Sequence, residues 1–209
     1  VFNLDPVVIA LRIPALLIAI TIHEFAHARM AYQFGDQTAK NQGRMNLNPI
    51  SHLDPIGTLM ILLVGFGWAK PVPINPYNFN QYRRGLRWVS FAGPLANFIL
   101  GFITMLLLNI LLKAGIFEGL FLQFIVVLMQ LNILLAIFNL IPVPPLDGSK
   151  ILMSFLSDSY LGLYRKIEQY APIILLVLIF TGAFRYIINP LYSLVINIYS
   201  LLIGLLPGF

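Results

Sequence analysis

Three of the 209 residues are histidine, and two of them fall in the stretch His23-Glu24-Phe25-Ala26-His27. On a helix, positions i and i+4 share a face, so both imidazoles can reach one ion while the Glu24 carboxylate stands beside it as a base. That is the arrangement of zinc hydrolases. This composition yields the pattern by chance at roughly 6 × 10⁻⁴ matches per chain. A catalytic zinc takes three protein ligands and keeps a fourth position open, so one ligand remains to be found. The chain has no cysteine, which leaves His52 and a few acids. Asp147 is the best placed of these. It follows Pro142, Pro144 and Pro145 at the end of an apolar run, and Gly148 beside it allows a sharp turn. It can ligate the ion, cap a helix starting near Ser149, or do both. The expected cofactor is one zinc ion per chain, held by His23, His27 and Asp147.

With zinc supplying an acidified water, Glu24 would take the proton and return it to a leaving amine. The developing oxyanion needs a donor, and Asn139, in the same segment as Asp147, offers two N–H groups. Its alternatives are a helix C-terminal cap or a hydrogen bond between helices. His52, in Asn-Pro-Ile-Ser-His-Leu-Asp-Pro, can contact the transition state, hold substrate or simply sit in an interfacial loop. Asp54 reads as the cap of a segment beginning at Pro55.

The elements that carry these residues are membrane helices. Hydrophobic residues make up 59% of the chain and charged ones 10%, and mean hydropathy is +0.85. A soluble domain has about 25% charged residues, so a soluble enzyme, a disordered chain and a nucleic-acid binder are excluded. The fold class is an all-α polytopic membrane protein of about five to six transmembrane helices. The apolar run from Val7 continues helically to about Tyr32 and reads as a retained span, not a cleaved signal. Trp88–Leu112 and Leu120–Ile141 are full spans. Ile56–Phe66 is short of the roughly 20 residues a span needs, and suits a re-entrant or β-hairpin segment on the cytoplasmic side. Val72 and Ile74 alternate with prolines, as in an extended edge strand onto which a substrate strand could add. Residues 151–156 restart a short helix and 158–169 are interfacial. Pro172–Ala183 and Ile187–Leu206 are two spans, or one span and a surface helix, with Gly182 and Pro190 marking the break. Gly93, Asn97 and Gly101, at four-residue spacing, form a small-residue face that packs against the histidine helix.

The formal charge of +5 reports orientation. Segments 34–87 and 142–170 carry most of the Lys and Arg, which places them in the cytoplasm and the 113–119 loop outside. His23 lies about 25 Å along its helix from Pro6, just inside the cytoplasmic boundary.

Three motifs in order, HEFAH at 23–27, AGPLAN at 92–97 and FNLIPVPPLDG at 138–148, resemble the site-2 protease family of intramembrane zinc metalloproteases (peptidase family M50). The stretches 43–58 and 67–76 are similar to its small bacterial and archaeal branch, which lacks PDZ and CBS domains. The resemblance covers residues 7–157. The length suits a single membrane-embedded metalloprotease domain over 1–209 with its core at 7–157, in which the last apolar stretches, 170–206, could move aside as gating helices. The resemblance implies an endopeptidase of a cell membrane, with its active site near the cytoplasmic face, that cuts transmembrane proteins or peptides in the bilayer. His23, His27 and Asp147 would then be zinc ligands and Glu24 the catalytic base. Two other readings stand beside it. Intramembrane His, Glu and Asp can mark the path of a metal transporter, though here they gather near one leaflet. A catalytically inactive scaffold would keep the fold without needing the intact motif. Three histidines are too few for a di-iron oxygenase.

Overall fold

The computed structural model describes residues 6–54, 57 and 69–206. Seven α-helices are described: α1 (Pro6–Gln33), α2 (Thr38–Asn41), α3 (Tyr82–Lys113), α4 (Leu120–Asn139), α5 (Asp147–Met153), α6 (Leu161–Phe180) and α7 (Phe184–Gly204). Four of these, α1, α3, α4 and α7, are long and apolar enough to cross a membrane. The chain is therefore a multi-pass membrane protein. The count stops at four among the described residues because α6 carries Arg165, Lys166 and Glu168 in its first half. The short run 56–66 lies outside the described residues except for helical Gly57. No β-strand is formed among the described residues; one antiparallel bridge joins Leu53 to Ala69.

The bundle centre is built from small residues. Ala15, Ala19, Ala28 and Ala31 of α1 are fully buried. Bundles in lipid gain nothing from simple hydrophobic exclusion, so close backbone approach through such residues carries the packing. Opposite them on α3, Gly93 faces the two α1 histidines, whereas Gly101 faces Ile133 of α4 and Tyr199 of α7. The small face is thus shared among α1, α4 and α7 and not given to α1 alone. Tyr199 ties α7 down, its hydroxyl donating to the Phe98 carbonyl at 2.6 Å.

Several boundaries differ from the hydropathy pattern. α3 begins at Tyr82, before the apolar run, because its basic first turns are useful contacts. Arg83 donates to the Leu156 carbonyl, and Arg87 lies over the Phe155 ring and bonds Ser154. α5 begins at Asp147, so the carboxylate sits in the first turn, after a connection that includes a cis Pro144–Pro145 peptide. The interfacial and apolar parts of 158–180 form one helix after a short turn. Gly182, at φ +71°, makes the break before α7, while Pro190 sits inside α7. Prolines inside membrane helices are tolerated where neighbours re-satisfy the freed carbonyl.

Two Asn-Pro pairs shape the loops. Asn48 and Asn75 each accept from the amide two residues on, Ile50 and Tyr77, and start 3₁₀ turns at Pro49–His52 and Pro76–Asn78. Asparagine caps the turn and proline occupies the position where no N–H is required.

Candidate metal centre

His23 and His27 project from the C-terminal half of α1, and Asp147 from the first turn of α5. All three are buried, and among the described residues they form a converging group of possible metal ligands. His23 Nε2 and His27 Nε2 are 3.0 Å apart. Asp147 Oδ2 lies 3.2 Å from the first and 3.1 Å from the second.

The opposite ring nitrogens decide the tautomers. His27 Nδ1 is 2.7 Å from the Val89 carbonyl, which can only accept, so Nδ1 carries the proton. His23 Nδ1 is 2.6 Å from Asn97 Oδ1. Asn97 cannot be turned round: its Nδ2 donates to the Ala19 carbonyl at 3.0 Å and to Asn132 Oδ1 at 2.8 Å. Asn132 is held in turn by donating to the Leu128 carbonyl. Both Nε2 lone pairs therefore point at Asp147 Oδ2, three electron-rich atoms with no proton supplied between them. A cation completes such a set.

The dimensions fit zinc. Tetrahedral bonds of about 2.0–2.2 Å place ligand atoms about 3.3 Å apart, and the three separations here are close to that. Gly93 forms the wall: a Cβ on it would sit 2.7 Å from His23 Nε2 and closer still to His27 Nε2. Gly148 is needed for a related reason. A side chain there would overlap the Leu140 carbonyl, so the requirement is close backbone approach and not a left-handed turn. Asp147 turns one carboxylate oxygen to both rings. Its other oxygen faces Lys150 Nζ at 3.7 Å.

The remaining expected residues divide. Glu24 is half-buried beside His23, and its Oε2 accepts from the Val72 amide at 2.8 Å. Asn139 ends α4 and donates to the Leu135 carbonyl of its own helix, leaving one N–H of its amide. His52 is buried apart from the converging group, with Nε2 on the Asn46 carbonyl at 2.9 Å. Asp54 caps as expected, accepting from the Gly57 amide. Asn132 was not singled out by spacing, although a lone asparagine in an apolar run is itself a signal of an interhelical contact. The Val89 carbonyl and Val72 amide are backbone groups and carry no residue-type signal.

The sequence model of Peptidase family M50 matches residues 114–182, which include Asp147. YwhC of Bacillus subtilis (strain 168), named provisionally as a zinc metalloprotease, is 44% identical over 184 residues, 85% of this chain and 84% of YwhC. The chain belongs to peptidase family M50. Two further M50 relatives carry the same provisional name. Rip2 of Mycolicibacterium smegmatis is 29% identical over 84% of this chain and 69% of its own length. Rip2 of Mycobacterium tuberculosis (strain H37Rv) is 31% identical over 82% and 67% respectively. No solved structure matches the chain significantly.

Proposed function

We propose that this M50 peptidase is an intramembrane zinc endopeptidase that hydrolyses peptide bonds of transmembrane substrates near the cytoplasmic face. The observation that carries the reading is the meeting of His23, His27 and Asp147 at one buried point, with Glu24 adjacent, inside a bundle of membrane-length helices. A zinc ion held by these three residues supplies Lewis acidity and an acidified water. Glu24 is the base that accepts the water's proton and later delivers it to the leaving nitrogen. Asn97 and the Val89 carbonyl keep both imidazoles turned to the ion. The remaining Asn139 N–H is a donor available to the oxyanion. His52, sealed into its loop, supports the segment that crosses beside Glu24.

The test is zinc content and proteolysis on detergent-solubilised protein. The wild type should hold one zinc per chain and cleave a labelled unstructured protein. Asp147→Ala should lose most of the zinc. Glu24→Gln should keep zinc and lose activity by at least about 10²-fold. Metal binding indifferent to Asp147 would reject the site, and full activity in Glu24→Gln would reject the base.

A further inference from the structure

Residues 70–75 cross beside Glu24 as an extended strap that is fastened at both ends without using Glu24. At one end the Lys70 amide donates to the His52 carbonyl at 3.0 Å. Arg44 donates to the Lys70 and Pro71 carbonyls at 2.9 and 3.3 Å. At the other end the Asn75 amide donates to Asp36 Oδ2 at 2.8 Å. Between them the Val72 side chain is buried against Ala28 and Ala39. Pro71 and Pro73 flank Val72, restrict φ on both sides and carry no N–H. Within 71–73 the Val72 amide is thus the sole backbone donor, and it goes to Glu24 Oε2 at 2.8 Å.

We infer that the Val72 N–H is the positioning group for Glu24, held in place by the proline-flanked strap. The inference rests on the reading of Glu24 as the base. A glutamate side chain has three rotatable bonds and can swing away from the ion. A preset donor on one carboxylate oxygen limits that swing and leaves the other oxygen for the water. The same commitment argues against the strap as an N–H-donating edge for substrate. Of residues 70–75, two lack an N–H and Lys70, Val72 and Asn75 spend theirs within the chain.

Val72→Pro removes the donor but disturbs the backbone, so the decisive variant is an amide-to-ester replacement at Val72, which exchanges only N–H for O. Fluorescein-labelled casein serves as substrate in detergent, with an ester at Tyr77 as the control lesion in the same loop. The expected result for the Val72 ester is a kcat lower by roughly ten- to a hundred-fold, with KM and zinc content as in wild type. An unchanged kcat, or a loss of zinc in parallel with kcat, overturns the inference. Glu24→Gln run alongside separates the two claims: if it stays active, the base assignment fails. If it is inactive while the Val72 ester is fully active, only the positioning inference fails.

Discussion

At the scale of single residues, the centre depends on atoms that never touch the ion. Asn97 fixes His23 through an amide whose own direction is set by Ala19 and Asn132. Loss of such an outer partner typically costs ten- to a hundred-fold in metal affinity. Asn97→Ala is therefore expected to weaken zinc by roughly that factor, measured by competition with a chromogenic chelator, with the helical circular dichroism spectrum unchanged. Unaltered affinity would mean that His23 holds its tautomer without help. Gly93→Ala acts more directly, since the added methyl enters the space between the two Nε2 atoms; zinc content should fall well below one per chain. The meeting of the histidine pair with Asp147 was legible in the sequence because it is written in residue type and local spacing. The partners that orient them were not. Val89 lies 62 residues from His27 and contributes a carbonyl that every residue has, and Asn97 looked like packing because small polar residues serve both purposes in membrane helices.

At the scale of elements, helices were legible and their joints were not. Long apolar runs declare themselves, whereas the start of α3 and of α5 is decided by tertiary contacts from Arg83, Arg87 and the α4–α5 connection. The strap was visible as a proline alternation, but its partner was not. Its far end hangs on Asp36, buried at 1% exposure, which accepts from the Thr38 amide and hydroxyl, the Asn75 amide and Asn78 Nδ2. Burial opposes the Asp36 charge, but these donors, led by the Thr38 hydroxyl and Asn78, hold its carboxyl below the ordinary value. Removing them all from partnership in Asp36→Ala should cost about 3 kcal/mol, roughly 6–12 °C of unfolding midpoint at pH 7. The sign of the pH effect follows from the lowered pKa. The contribution is complete above the unfolded value of about 3.9 and fades as pH falls through the lower folded value. The gap between wild type and Asp36→Ala should thus be constant from pH 5 to 8 and narrow below about pH 4. A gap that narrows near neutrality would assign the effect to another group.

At the scale of the whole molecule, the metal centre determines topology. Its parts come from the C-terminal half of α1, the first half of α3 and the segment just after α4, so these three ends lie on one side of the bilayer. Residues 34–81 accordingly leave and return to the same side, whatever path they take between. The charge pattern agrees: Lys40, Arg44, Lys70, Arg83, Arg84 and Arg87 flank that side, while the opposite loop carries Lys113 and Glu118. The positive-inside rule predicts that the metal-centre side is the cytoplasmic one. Because the sequence contains no cysteine, this orientation can be tested with single introduced thiols. Tyr77, in the Pro76–Asn78 turn, is 89% exposed, and Phe117, in the α3–α4 loop, is 69% exposed. In intact cells a membrane-impermeant maleimide should label Phe117→Cys and leave Tyr77→Cys unmodified. In inverted vesicles the pattern should reverse. Labelling of both from one side would break the link between α1, α3 and the site, since the His27–Val89 and His23–Asn97 contacts require the intervening segment to make no net crossing. The reversed pattern in both preparations would keep the fold but move the chemistry to the outer face, and substrates would then have to be sought among segments exposed there.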